Sequence, residues 1–231
     1  MPLDTLPKPT PHYATAPGRD PTHAKQAVVK MKGVSPFDEP LDKLRDSDPE
    51  EIASRTGATW VPVGEGPGVG TLLVPVLGGE ISITFPGISV EAAPELDSFT
   101  LKLLTLLYLC NSDGTPPSGS WVAYRDLPGG RFYEPVVART VEAPLARAFG
   151  SGTGNLITSA KTIGGTVERY GDAACSFALF PLVPVCFILW GSDDEFEARA
   201  QVLFDSNCEH HLDAFNLRMG AQEIVRLIGA I

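Results

Sequence analysis

Two apolar runs, Ala173–Phe180 and Val183–Trp190, follow one another with only Pro181-Leu182 between them. Neither alternates apolar with polar residues, so both read as strands covered on two faces. A chain that buries two such strands needs a substantial core around them. With 231 residues, 43% hydrophobic and 20% charged, this one can supply it.

The rest of the pattern says what surrounds those strands. Asp48-Pro49-Glu50-Glu51 is a helix start, with a capping acid, proline at the first helical position and carboxylates facing the positive helix end; Gly57 closes that helix. Thr71–Leu77 and Glu80–Phe85 form a hairpin through Gly78-Gly79. Asp97 or Ser98 caps the run LKLLTLLYLC, whose Leu101, Leu104 and Leu107 share a face, and this is the expected central core helix. Ala143–Phe149 and Asn155–Lys161 read as short helices, and Ala200–Phe204 as a strand. Asp213–Ile228 reads as an amphipathic helix with Phe215, Met219, Ile224 and Ile228 on one side. Strands, helix, strands, helix favours α+β over an alternating parallel design. The expectation is one domain over 37–231, a mixed or antiparallel sheet packed by the central and C-terminal helices. Residues 1–36, whose first 27 carry prolines at positions 2, 7, 9, 11, 17 and 21, read as a Pro-rich extended or disordered arm.

A formal charge of −10 and the lack of a Lys/Arg cluster argue against nucleic acid and acidic membrane surfaces as partners. No run reaches the roughly 18 apolar residues of a bilayer span. The start MPLDTLPKPTPHY is not a secretory signal, so a cytoplasmic location is the default expectation. Cys110, Cys175, Cys186 and Cys208 form no close pair of the kind that holds zinc or an iron–sulfur cluster. The first three lie in apolar runs and read as small buried hydrophobes.

Three constellations are candidates for chemistry. Asp193, Asp194, Glu195 and Asp205 can supply the oxygens that a hard divalent cation needs, though neither a calcium loop nor HExxH is present. Cys208, His210 and His211 can offer a nucleophile or an axial ligand, but adjacent histidines on a strand point to opposite sides. Trp121, Tyr124, Arg125 and Tyr133 sit in a turn-rich stretch, NSDGTPPSGSWVAYRDLPGGRFYEP. Aromatic walls with a guanidinium suit a flat organic ligand bearing carboxylates. The bland alternatives are a capping Asp193 with solvated neighbours, satisfied histidines, and Trp121 and Tyr124 in or beside the core. Glycine-rich Gly64–Gly70 and Gly150–Gly154 lack the lysine of a Walker loop, and the serine-hydrolase GxSxG elbow is absent.

The segments SGSWVAYRDLPGGRFY and YGDAACSFALFPLVPVCFILWGSDDEFEARAQVLFD carry a more specific signal. Their Pro128-Gly129-Gly130, Gly171-Asp172, Pro181 to Pro184, Trp190 to Phe196 and Leu203-Phe204-Asp205 resemble the bacterial and archaeal family called domain of unknown function 3786. The likeness runs from about Pro49 to the C-terminus. It implies an anaerobic setting, since members occur mostly in anaerobes, and an iron–sulfur or other redox protein as partner, since some members look like fusions to a small iron–sulfur module. This chain departs from the pattern at Glu197, where proline is common, and at His211, where an aromatic is commoner. Both departures set these two residues apart from any family-wide task.

The combined expectation is a non-hydrolytic cofactor-binding protein of anaerobic redox metabolism, with a tetrapyrrole (corrinoid or haem) as the concrete ligand. His210 or His211 would be its axial ligand, and Arg125 would meet its acid or amide groups. The corrinoid signature DxHxxG is absent. The alternatives are a metal-dependent enzyme using the Asp193–Glu197 cluster, with Asp194 or Glu195 as base, and an adaptor or maturation partner of an iron–sulfur protein.

Overall fold

The structure, a computed structural model, describes residues 35–64 and 66–229. The expected arm lies outside the described residues except for Ser35 and Pro36. Helix α1 spans Asp38–Arg45 and α2 spans Pro49–Thr56. The start of α2 follows from its sequence: Pro49 opens it, and the Asp48 carboxylate accepts from Glu50 N–H at 2.9 Å.

Four strands follow, β1 (Thr59–Pro62), β2 (Gly70–Val76), β3 (Gly79–Phe85) and β4 (Ser89–Ala92). They form an antiparallel sheet in chain order. The β2–β3 turn is Leu77-Gly78, one residue earlier than expected, with φ of 51° and 81°. Two left-handed residues match the twist of the flanking strands, which is why the hairpin closes there. A Cβ on Gly78 would lie 2.8 Å from the Cα of Gly164, and one on Gly164 only 2.7 Å from the Cα of Gly78. The two backbones therefore cross in van der Waals contact. Gly164→Ala is expected to cost about 2 kcal/mol, through this clash and its own φ of 79°. A urea midpoint equal to wild type would show that the crossing has slack.

Helix α3 (Phe99–Asn111) is capped by Ser98, whose Oγ accepts from Leu101 N–H at 3.0 Å. It buries Leu101, Leu104, Leu106, Tyr108 and Leu109 on nearly all sides, as a central helix must. The second sheet contains β5 (Trp121–Ala123), β6 (Thr166–Glu168), β7 (Ala173–Phe180), β8 (Val183–Trp190) and β9 (Arg199–Asp205). Its order is β5-β9-β8-β7-β6, antiparallel throughout. β7 and β8 are the two apolar runs, and they are buried along most of their length. Leu77 N–H donates to Ala178 O at 3.1 Å, joining the two sheets, and one hydrophobic cluster serves both. The architecture is α+β with two antiparallel sheets.

The largest local departure lies between β5 and β6. Helix α4 (Gly130–Val137) passes through a wide turn at Ala138–Glu142 into α5 (Ala143–Phe149), where only the last part was expected to be helical. In that turn Ala143 N–H reaches back five residues to Ala138 O. Pro135 stands inside α4 and hid it from a propensity reading. Helix α6 covers Gly154–Lys161. The final helix, α7 (Ala214–Leu227), is capped by Asp213 as expected, but its inner face is turned. Leu217, Ala221, Ile224 and Val225 are buried, whereas Phe215 is exposed and Met219 half-buried. Gly220 sets this rotation, because any Cβ there would meet Leu179 Cδ2 at 2.2 Å. Among the described residues no helix is long and apolar enough to cross a membrane.

Candidate functional site

Strand β5 pairs with β9 only from Trp121↔Asp205 to Ala123↔Leu203. The chain then leaves the sheet in a tight turn at Tyr124–Asp126 and enters α4 through Pro128-Gly129-Gly130. Gly129 has φ of 76°, and a Cβ on Gly130 would fall 1.9 Å from Tyr124 O, so this turn requires both glycines. Beyond Leu203, residues Arg199–Val202 of β9 have a strand partner on the β8 side alone. Glu142 covers part of this edge: its Oε1 accepts from Val202 N–H at 3.1 Å, where a strand carbonyl would otherwise sit. The widened turn inserts one extra residue and so re-aims the Glu142 side chain, a device often found at functional sites.

The result is a cleft of about 440 Å³ between the β9 edge and α4. Arg125, Glu134, Glu142, Trp190, Arg199 and Gln201 contribute its chemistry. Arg125 Nη1 lies 3.6 Å from Glu134 Oε1, and both side chains are about half exposed, so the pair is weak. The Arg199 guanidinium lies over the Trp190 indole, 4.4 Å from its centroid. These two face each other across the β8–β9 ladder and are stacked by register. No ion pair to Arg199 occurs among the described residues. Burial pushes the Glu142 carboxyl above its usual range, partly opposed by the Val202 hydrogen bond. On the far side of the Trp190–Arg199 pair lies a second hollow of about 410 Å³, lined by Asp172, Gly191, Asp193, Phe196 and Glu197. Asp172 accepts from Gly191 N–H at 2.8 Å and so holds its rim.

The expected site residues do not all meet. Arg125 and Tyr124 line the cleft, although the Tyr124 hydroxyl is spent on Ala214 O at 2.7 Å. Trp121 lies half-buried with Leu203 and Trp190 around Cys186 and Ile188, on the sheet face away from the main core. Tyr133 packs against Phe215 of α7, not into the cleft. Asp193 shapes its own turn, accepting from Glu195 N–H at 2.9 Å and Phe196 N–H at 2.7 Å; Asp194 and Glu195 face solvent. Asp205 sits at the opposite end of β9, about 20 Å away by strand rise. It is buried and accepts from the N–H groups of Ser118, Gly119 and Asn207 and from Ser118 Oγ. Burial raises its pKa, but these donors outweigh burial and hold it below the usual range. The four carboxylates therefore do not form one ligand set. Among the described residues no group of three His, Cys, Asp or Glu side chains is placed to hold a metal ion.

The imidazoles lie past the same far end of β9. His210 Nδ1 is 2.8 Å from Asp113 Oδ2 at the surface, and this contact, with Thr115, lowers the pKa of Asp113. His211 is 1% exposed. Its Nε2 is 3.0 Å from Thr115 O, which can only accept, so Nε2 carries the proton and Nδ1 accepts from Ser112 Oγ at 2.7 Å. Burial pushes the His211 pKa down, consistent with a neutral ring. Cys208 is fully buried, its thiol pushed up to about 12 by burial and donating to Pro184 O at 3.4 Å. Neither Cys208 nor the histidines reach the cleft.

The residues that sequence reasoning missed are Glu142, Trp190, Arg199 and Gln201. One signal was available: Trp190 and Arg199 bracket a short polar loop between two strands, and an antiparallel pairing closes them on each other. Comparison with curated proteins and with solved structures gives no match. A family model described as domain of unknown function (DUF3786) matches residues 48–226, most of the chain, and the protein belongs to that family.

Proposed function

We propose that the protein is a cofactor-binding protein whose ligand is a flat organic molecule, rimmed by acid or amide groups, held in the cleft beside β9. The observation that supports this most is the Arg199 guanidinium stacked on Trp190, in no ion pair among the described residues, in a cleft that Arg125 also lines. Stacked on an indole, a guanidinium keeps its outer edge open for bidentate pairing with a carboxylate. Gln201 and the half-buried Glu142 offer further polar partners for an amide or a second acid group. A tetrapyrrole, corrinoid or haem, is the candidate ligand, because its rim acids or amides would meet the arginines while its face lies along Trp190. His210 and His211 do not reach this cleft, so binding runs through the rim and not through an axial imidazole.

Purified protein is mixed with haemin or hydroxocobalamin and the visible spectrum recorded. A saturable shift with at least one of them, kept in His210→Ala, is the expected result. Spectra unshifted for both overturn the tetrapyrrole assignment. A shift abolished by His210→Ala overturns the rim-bound geometry.

A further inference from the structure

Arg218 of α7 is 9% exposed, yet no carboxylate among the described residues pairs with it. Nη1 donates to Gln222 Oε1 at 3.2 Å, Nη2 lies 3.1 Å from Met219 Sδ, and Nε is buried with no hydrogen-bond partner among the described residues. Its Cζ lies 4.9 Å from the Phe215 ring centroid. A neutral amide, a thioether and a ring compensate a buried cation poorly, since losing hydration costs several kcal/mol per ion. A guanidinium in this state is short of an anion.

Its surroundings are unusual for free surface. Phe215 is 45% exposed and meets Tyr133 edge-on at 5.8 Å between centroids. The Phe215 and Tyr133 rings, half presented to water beside a desolvated arginine, have the composition of an interaction hot spot. Arg218 lines neither of the hollows beside β9, so this surface is independent of the cleft.

We propose that the α4–α7 surface formed by Tyr133, Phe215 and Arg218 docks an acidic segment of a partner protein. One carboxylate of that segment pairs with the Arg218 guanidinium, and an adjacent apolar side chain covers the rings. Charge complementarity selects this occupant: the unmet need at the centre is for negative charge, and the Phe215 and Tyr133 rings flank it. Phe215 covers the guanidinium in the free chain and turns aside when the carboxylate arrives.

Two measurements on the full chain test this. The first is the urea midpoint of Arg218→Met, which keeps the length and apolar stem of the side chain. If the guanidinium is kept for a partner, the variant is at least as stable as wild type; a clear drop in the midpoint makes Arg218 structural and overturns the proposal. The second is selection of random linear peptides displayed on phage against the wild-type protein. Enrichment of peptides pairing Asp or Glu with an apolar neighbour, with binding at least tenfold weaker to Arg218→Met and to Phe215→Ser, is the expected result. No enrichment, enrichment of sequences without acids, or equal binding to the variants overturns it. Self-association of the protein that disappears in Arg218→Met also overturns it, by making a second copy the occupant.

Discussion

Replacing His211 with alanine is expected to remove about 3–5 kcal/mol of stability, on the scale of losing a buried side chain and stranding its polar neighbours. The imidazole joins Ser112, at the end of α3, to the Thr115 carbonyl, and its ring meets Tyr108 at 6.0 Å. Ser112 is part of a wider knot. Its carbonyl and that of Leu109 accept from the Arg55 guanidinium, and the Tyr108 hydroxyl donates to Thr56 O at 2.6 Å. Removing the ring therefore strands two polar groups where α2, α3 and the chain after β9 converge. The same residue predicts a pH dependence. Burial lowers the folded pKa of His211 from 6.5, so the unfolded chain takes up its proton first as pH falls. The stability it contributes is complete above the unfolded value and is lost progressively below it. Urea midpoints should fall between pH 7.5 and 5.5 in wild type, and less steeply in His211→Gln; equal slopes would remove His211 as the cause.

Asp205→Ala is expected to cost about 3 kcal/mol, because it removes a buried carboxylate that accepts from three backbone N–H groups and a hydroxyl at once. Its two oxygens accept from Ser118 and Asn207 N–H at 2.9 Å each, from Gly119 N–H at 2.7 Å and from Ser118 Oγ at 3.0 Å. These bonds fix the loop that delivers Trp121 to the β9 ladder and, four residues on, Arg125 to the cleft. The variant should therefore lose ligand binding even under conditions where it remains folded. The folded pKa of Asp205 lies below 3.8, so its contribution holds above that value and disappears as pH falls through the acid range. Denaturation of Asp205→Ala at neutral pH with a wild-type midpoint would contradict the role given to this carboxylate.

Local chemistry explains why much of the fold was legible. The Asp48-Pro49 start of α2, the Ser98 cap of α3, the two apolar strands and the Asp213 cap of α7 each rest on residues within one turn of the feature they set. Helix α4 was not legible, because Pro135 and Gly129-Gly130 argue locally for a loop, whereas packing of Val137 and Val141 into the core decides for a helix. The site divides the same way. Arg125 could be suspected from its aromatic company, but the Trp190–Arg199 stack exists only through strand register. The acid–imidazole stretch near the end of the chain looked like one cluster because its residues are close in sequence. Strand β9 runs through the middle of it and carries Asp193 and His211 to opposite ends, where Asp193 holds a turn and His211 joins the interior.

In the proposed function the arginines of the β9 cleft receive the acids or amides at the rim of a flat ligand. Equilibrium titration of haemin and hydroxocobalamin, followed at the visible band, into wild type and the Arg125→Ala/Arg199→Ala double variant tests this directly. The account predicts saturable binding to wild type and an affinity at least tenfold lower in the double variant, whose far-ultraviolet circular dichroism is unchanged. Equal affinity in a folded double variant would contradict it.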